Sequence, residues 1–220
     1  MAIRGAIFDM DGTLLDSMHI WVSIPNQYIK AQFKEHGVEK IPKFYKDIGG
    51  ITLLDIANFL IDYLHLDKTP QSIIDEINDM ALKEYRKTAT VKPGTVEFLE
   101  KLKARGVKMC IATASDRFMV EEILTKLDIL KYFDRIFTCG EVGSNKSSPD
   151  IFEAALSFLG TDKKDTYVFE DTYAPVKTTK EAGFNVVAVA DKWSADKREL
   201  IEPLADIYTA NINTINIEKL

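Results

Sequence analysis

Residues 3–14 read IRGAIFDMDGTL, and this stretch decides how the rest of the chain is interpreted. The apolar run from Ile3 to Phe8 is short and stops at Asp9. Gly12 follows, and glycine among acidic residues is typical of a loop. The stretch therefore predicts a buried strand that leads directly into an acidic loop.

Apolar runs of strand length alternate with helical patterns from Pro93 to about residue 190. Strands are predicted at 107–112, 136–139, 167–169 and 186–189. Helices are predicted at 95–105, at 116–127, from Ser148-Pro149 onward, and at 175–182. Regular β-then-α order predicts right-handed crossovers and a parallel sheet covered by helices on both faces. The predicted fold class is therefore α/β.

Residues 16–88 show a different pattern. Apolar residues recur there at helical spacing, as in Ile56 and Phe59. Proline and glycine residues divide the stretch into several helices, and it contains no convincing strand pattern. We therefore predict an α/β core at 1–15 and 89–220, with an all-helical domain at 16–88 inserted after the first strand.

The composition narrows the classes of partner. Of 220 residues, 46% are hydrophobic, which is enough for a sizeable core plus a small accessory domain. The net charge of -6 argues against a nucleic acid or an anionic membrane as partner. Without a long apolar run or a signal-peptide pattern, a cytoplasmic protein is expected. Cys110 and Cys139 fall in apolar, strand-like segments and are predicted to be buried core thiols.

Acidic and hydroxyl-bearing residues follow the predicted strands. In an open parallel sheet, ligands bind beyond the carboxyl ends of the strands. The residues at these positions are Asp9 and Asp11 after the first strand, Thr113 and Ser115 after the second, Lys146 in the loop after the third, and Glu170 and Asp171 after the fourth. We expect these side chains to meet at one edge of the sheet.

Several carboxylates at one edge would repel one another, so the cluster needs a bound cation or raised pKa values. Oxygen ligands without a nearby cysteine or histidine favour a hard ion, and Mg²⁺ fits best. Thr113 and Ser115 lie at a strand-to-helix junction, where hydroxyl and main-chain N–H groups can bind an anion. Lys146 can neutralise a phosphate. The alternative is structural: turns, an N-cap at Ser115 and a solvated lysine.

Four segments together resemble the motifs of the haloacid dehalogenase-like superfamily. In chain order they are Asp9-Met10-Asp11-Gly12-Thr13-Leu14, Thr113 after an apolar strand, Lys146 followed by Ser147-Ser148-Pro149-Asp150-Ile151-Phe152, and Glu170-Asp171-Thr172 followed by Gly183. The resemblance implies a Rossmann-like core. It also makes the helical insert similar to the cap domain of the subfamily that includes β-phosphoglucomutase and phosphoglycolate phosphatase. The chain departs from the motifs at Ser147, where proline is usual, and at Pro175, where glycine is usual.

The resemblance implies a role for each matching residue. The implied catalytic residues are Asp9 as nucleophile, Asp11 as general acid and base, and Thr113 and Lys146 as holders of the transferring phosphoryl group. The implied Mg²⁺ ligands are Asp9, Asp11 through its main-chain carbonyl, Asp171, and Glu170 either directly or through a water molecule. The implied substrate-binding residues are Gly12, Thr113, Ala114, Ser115, Lys146, Gly49 and Gly50. The last two end the segment Lys43–Gly50, which aligns by resemblance with a substrate-recognition loop of the cap.

These features favour a Mg²⁺-dependent phosphatase that hydrolyses a small phosphorylated metabolite through an aspartyl-phosphate intermediate. An acid at Asp11 favours phosphate esters, because an alkoxide leaving group needs a proton. Two alternatives stay open: a phosphomutase acting on a sugar phosphate, and a non-catalytic sensor of a phosphate ligand. Family mutases often carry an arginine just after the loop glycine, whereas Thr52 and Leu53 follow here.

Overall fold

The computed structural model describes residues 3–38 and 52–220. The chain forms two compact units, Met1–Asp16 with Thr90–Leu220, and Ser17–Ala89. These bounds differ by one residue from the predicted domains, 1–15 with 89–220 and 16–88. That the second unit acts as a cap stays a prediction.

The first unit contains all the strands of the described residues. In chain order they are β1 Gly5–Phe8, β2 Leu15–Asp16, β3 Thr90–Val91, β4 Lys108–Thr113, β5 Arg135–Thr138, β6 Thr166–Glu170, β7 Asn185–Val189 and β8 Ile207–Thr209. Six of them form one sheet in the order β5-β4-β1-β6-β7-β8, with every neighbouring pair parallel. The short strands β2 and β3 pair separately and antiparallel. The predicted α/β class with a Rossmann-like parallel sheet is confirmed.

The helices separate into two groups along the chain. The second unit holds α1 Met18–Glu35, α2 Leu53–Leu64 and α3 Pro70–Thr88. The first unit holds α4 Thr95–Ala104, α5 Arg117–Lys126, α6 Cys139–Val142, α7 Asp150–Leu159, α8 Tyr173–Glu181 and α9 Arg198–Ile201. Among the described residues, no helix has both the length and the apolar character needed to cross a membrane.

Side chains of β1 alternate between the two faces of the sheet, as the pleat of a strand requires. Ile7 belongs to the buried cluster that includes Phe152 of α7. Its neighbour Phe8 points to the other face, where it stacks on Phe169 at a centroid distance of 4.3 Å. Phe98 of α4 meets the same Phe169 ring edge-on at 5.6 Å. Helices therefore cover both faces, and the sheet is the core of the unit.

The register of β1 positions the end of the strand. Gly5 pairs with Lys108 of β4 on one side and with Thr166 of β6 on the other. The three central strands therefore advance together toward the same edge. The main-chain N–H of Asp9 donates to the carbonyl of Phe169 at 2.9 Å, which extends the pairing of β1 and β6 by one residue.

The helical unit has a core of its own. Tyr28 and Phe33, which the sequence favours as core residues of this unit, are buried, while Phe44 and Tyr45 lie outside the described residues. The Trp21 indole N–H donates to the Tyr85 hydroxyl at 2.6 Å, so α1 and α3 are joined. A capping box at Thr52 begins α2.

One expectation needs correction, and one strand was not predicted. Cys139 does not continue β5: it is the first residue of α6 and is only partly buried, so the prediction of a buried core thiol is wrong there. Cys110 lies inside β4 and is fully buried, as predicted. The edge strand β8 was not predicted, because its three residues Ile207–Thr209 are half-exposed and form no apolar run.

Candidate active site

Three carboxylates converge beyond the carboxyl ends of β1 and β6. Asp9 follows β1, Glu170 is the last residue of β6, and Asp171 comes directly after it. One carboxylate oxygen of each lies within 4.8 Å of those of the other two, and all three residues are buried. The register of the central strands accounts for this convergence of residues that are about 160 positions apart in the chain.

Lys146 lies among these carboxylates. Its ammonium nitrogen is 2.5 Å from Oδ1 of Asp9 and 2.6 Å from Oε1 of Glu170, and its side chain is 10% exposed. Burial alone would lower the pKa of Lys146, but the charges of Asp9 and Glu170 outweigh burial and raise it. The lysine is therefore a fixed positive charge at any pH near neutral.

One lysine does not balance the negative charge. Burial, assisted by the charge of Asp9, raises the pKa of Glu170 to about 7, although Lys146 opposes the shift. Burial also raises the pKa of Asp171 well above its usual value, and the charges of Asp9, Glu170 and Asp191 add to this effect. Without a further positive charge, protons are held on this cluster.

The two carboxylate oxygens of Asp171 differ in their hydrogen bonding. Thr13 donates to its Oδ1 at 3.4 Å, whereas its buried Oδ2 has no hydrogen-bond partner among the described residues. An orphaned carboxylate oxygen beside two other carboxylates fits a hard divalent cation, because oxygen donors are the ligands that Mg²⁺ prefers. Asp9, Glu170 and Asp171 would hold such an ion. The predicted ligation through the main-chain carbonyl of Asp11 stays a prediction.

Asp11 contacts the segment that follows β4. Its Oδ2 accepts a hydrogen bond from the hydroxyl of Ser115 at 2.9 Å, and both residues are buried. Gly12 directly follows Asp11, and its φ of +87° lies in the left-handed region that glycine adopts without strain, so the chain can turn there. Lys146 contacts Asp9 and Ser115 contacts Asp11, so the two aspartates can perform different chemical tasks.

The end of β4 supplies the hydroxyl groups. Thr113 and Ser115 are buried, and the Thr113 hydroxyl accepts from the Ser115 N–H at 3.1 Å. Ala114 between them is exposed. This segment precedes the N-terminus of α5, which begins at Arg117, so its geometry suits an incoming anion. Gly49 and Gly50 lie outside the described residues.

A second, partly buried lysine near the acidic loop was not predicted from the sequence. Lys92 forms an ion pair with Asp191 at 2.9 Å and also donates to the main-chain carbonyl of Gly12. Asp191 comes two residues after the end of β7, so applying the strand-end rule to the fifth predicted strand would have found it. Lys92 lies between β3 and Pro93 and carries no recognisable sequence signal.

Comparison with known families identifies the family of this chain. The family model described as haloacid dehalogenase-like hydrolase matches residues 6–189, a range that includes Asp9, Lys146, Glu170 and Asp171. The chain belongs to the haloacid dehalogenase-like hydrolases. The predicted family and the prediction of an enzyme are both confirmed.

Two curated relatives match this haloacid dehalogenase-like hydrolase over nearly its whole length. The phosphorylated carbohydrates phosphatase of Thermotoga maritima is 24% identical over 217 residues, 99% of each chain. Pyrophosphatase PpaX of Oceanobacillus iheyensis is 28% identical over 226 residues, covering 95% of this chain and 97% of its own.

Solved structures show the same fold. A hydrolase of this superfamily from Entamoeba histolytica, family IA variant 3, superimposes with a TM-score of 0.80 at 21% identity. The match covers 99% of this chain and 97% of the other. Both units of the chain therefore have counterparts in a known haloacid dehalogenase-like structure.

Proposed function

We propose that this haloacid dehalogenase-like hydrolase is a Mg²⁺-dependent phosphatase that hydrolyses a small phosphomonoester through an aspartyl-phosphate on Asp9. The observation that carries the proposal is the contact of Asp9 with Lys146 at 2.5 Å inside a buried cluster with Glu170 and Asp171. The same residues could hold a nucleophile, a cation and a phosphoryl group within a few ångströms.

Asp9 is the nucleophile in this scheme. One of its carboxylate oxygens attacks phosphorus, so an O–P bond to Asp9 forms while the P–O bond to the leaving group breaks. Lys146, which already contacts Asp9, neutralises charge on the phosphoryl oxygens. Asp9, Glu170 and Asp171 would hold a Mg²⁺ ion, which would supply the further positive charge that an anionic substrate needs near these carboxylates.

Asp11 transfers the protons. It gives a proton to the leaving alkoxide in the first half of the reaction, and takes one from the attacking water in the second half. Water then forms a bond to phosphorus while the O–P bond to Asp9 breaks, so inorganic phosphate leaves and the carboxylate of Asp9 is restored. The hydrogen bond from Ser115 orients the Asp11 carboxylate for this proton transfer.

The proposed substrate class follows from the relatives of this chain. Relatives that align over nearly the whole chain act on phosphorylated carbohydrates or on pyrophosphate, by their names. A small phosphorylated metabolite, with a sugar phosphate as the first choice, is therefore the substrate we propose. The helical unit Ser17–Ala89 would select it as a cap domain.

The test is release of inorganic phosphate from a panel of sugar phosphates, nucleotides and p-nitrophenyl phosphate. We expect turnover that EDTA abolishes and Mg²⁺ restores. Asp9→Asn should bring turnover below detection, and acid quenching of the wild-type enzyme should trap phosphate bound to protein. Asp165→Asn is the matched control, because Asp165 is also buried but precedes β6, at the opposite end of the sheet from the site.

Two other outcomes would replace the proposal. Slow hydrolysis together with isomerisation of a sugar phosphate, accelerated by a bisphosphate, would indicate a phosphomutase. Binding of phosphate ligands without Mg²⁺-dependent turnover of any substrate would indicate a sensor.

A further inference from the structure

The ammonium group of Lys92 connects its own segment to two others, the loop at Gly12 and residues 190–191. It donates to the main-chain carbonyl of Gly12, to the carbonyl of Ala190 at 3.0 Å and to Oδ2 of Asp191 at 2.9 Å. These three acceptors use all three N–H groups of a lysine. The Lys92 side chain is 13% exposed and that of Asp191 only 3%, so both charges are largely removed from water.

Asp191 is itself held in one orientation. Its second oxygen, Oδ1, accepts a hydrogen bond from the main-chain N–H of Trp193 at 2.9 Å. Both oxygens of the carboxylate thus have defined partners, and the carboxylate can fix the position of the Lys92 ammonium. A buried pair with complete hydrogen bonding is rigid, because breaking any contact leaves a polar group without a partner.

The carbonyl of Gly12 that Lys92 binds belongs to the loop that carries Asp11. Within this loop, Gly12 N–H donates to the carbonyl of Leu15, and the N–H groups of Leu14 and Leu15 both donate to the carbonyl of Met10. The main-chain N–H of Lys92 adds a hydrogen bond to the carbonyl of Leu14 at 2.9 Å. Lys92 therefore contacts the loop through its main chain and through its side chain.

We propose that Lys92, oriented by Asp191, is a positioning residue that fixes the loop containing Asp11 and Gly12 in the geometry needed for proton transfer. This inference rests on the proposed phosphatase function. Among the described contacts, Lys92 makes no hydrogen bond to the carboxylates of Asp9, Glu170 or Asp171, although its charge opposes the rise in the pKa of Asp171. Its contacts with the loop are to the main-chain carbonyls of Gly12 and Leu14, so it acts on the loop through the main chain. Misplacement of a catalytic group by about 1 Å can lower a rate about 100-fold.

Lys92→Met removes the three donors and keeps the length of the side chain. We expect kcat to fall by about 10- to 100-fold with little change in KM, because geometry and not ground-state binding is lost. Hydrogen exchange at the amides of Gly12, Leu14 and Leu15 should become faster. Lys163→Met is the matched control, because Lys163 also joins a carboxylate, that of Glu153, and a main-chain carbonyl, that of Ala182. It should leave kcat and loop exchange unchanged.

The double variant Lys92→Met/Asp191→Asn covers the case in which Lys92→Met fails to fold, since it leaves no buried charge without a partner. Residues that act as a unit are non-additive, so it should lose about as much kcat as Lys92→Met. A folded double variant that keeps the wild-type kcat overturns the proposal.

Failure of the proposed function would look different from failure of this inference. If the wild-type enzyme turns over no phosphate ester, the phosphatase assignment fails. Hydrogen exchange at the loop amides alone then decides the role of Lys92. Faster exchange in the folded double variant would then support the positioning role, and unchanged exchange would overturn it.

Discussion

The ammonium nitrogen of Lys146 and Oδ1 of Asp9 lie 2.5 Å apart, although 137 positions separate the two residues in the chain. Neither residue is more than about a tenth exposed. Burial of an unpaired carboxylate would be costly, so the lysine stabilises Asp9 before any ligand arrives. The same contact places a positive charge where a phosphoryl group on Asp9 would carry its oxygens. In the proposed mechanism, Lys146 would therefore contribute to both stability and catalysis.

Lys146→Met should lower both kcat and the free energy of unfolding. We expect kcat to fall by about 10²–10³-fold, because a fixed charge that stabilises the transition state is lost. Removal of one partner of a buried ion pair costs about 3–5 kcal/mol of unfolding free energy. The loss should fall at the lower end of that range, since Glu170 can take up a proton. Denaturant unfolding without metal and steady-state kinetics measure the two effects.

The matched control for that change is Lys177→Met, which removes a lysine from an exposed i,i+4 pair with Glu181 on α8. Neither turnover nor the unfolding midpoint should change measurably there. Wild-type turnover in folded Lys146→Met would contradict the role given to this lysine.

Asp171→Asn should separate stability from metal binding. The substitution removes one negative charge from a crowded buried cluster, so the metal-free protein should become more stable. A gain of about 1 kcal/mol would raise Tm by about 2–4 °C for a chain of this size. The same variant should lose the rise in Tm that Mg²⁺ gives the wild type. Thermal melts with EDTA and with Mg²⁺ test both parts, and a lower Tm in EDTA would show that the carboxylate is not under electrostatic strain.

The pH dependence of stability should have a defined sign. The pKa of Glu170 is raised to about 7 in the folded protein, so between about pH 4.5 and 7 the metal-free folded chain holds a proton that the unfolded chain has released. Stability of the metal-free protein should therefore fall as the pH rises through this window. Mg²⁺ competes with that proton, so its stabilising effect should increase from pH 5.5 to 7.5.

Glu170→Gln provides the control for this pH effect. Without the titrating carboxyl group, the metal-free stability of the variant should depend less on pH over the same interval. A variant with the full wild-type pH slope would assign the effect to another residue.

Ser115→Ala tests the hydrogen bond to Asp11. Loss of the 2.9 Å contact frees the Asp11 carboxylate to take other rotamers, and we expect kcat to fall by about tenfold. The change removes one hydroxyl group, so Tm should fall only slightly. Ser72→Ala is a suitable comparison, because the Ser72 hydroxyl donates to a main-chain carbonyl on the surface of the helical unit. Equal kinetics in both variants and the wild type would remove Ser115 from the mechanism.

The sequence predicted strands and candidate site residues where acidic side chains directly follow an apolar run. The run Ile3–Phe8 followed by Asp9 predicted a strand and a loop, because a buried strand must be apolar and a loop at its end can be polar. The same logic located Glu170 and Asp171 after β6. Their convergence with Asp9 follows from the parallel topology, which brings the carboxyl ends of neighbouring strands to one edge.

Other features carry no local signal. Lys92 looks like an ordinary loop lysine, and only the folded structure shows that it contacts Gly12, Ala190 and Asp191. Strand β8 was missed because an edge strand of three half-exposed residues has no distinctive period. Cys139 was misassigned because the apolar run of β5 continues into the first residue of α6 without a breaking residue.

The equal registers on the two sides of β1 limit how this protein can vary in length. Deletion of one residue from Gly5–Phe8 would draw Asp9 back by about 3.3 Å and turn its side chain to the opposite face of the sheet. The four-residue strand therefore tolerates substitution of apolar residues but not insertion or deletion. Ser17–Ala89 folds around its own core, so exchange of that whole segment between related proteins would leave Asp9 in place and, on the proposed role of the helical unit, would change the substrate preference.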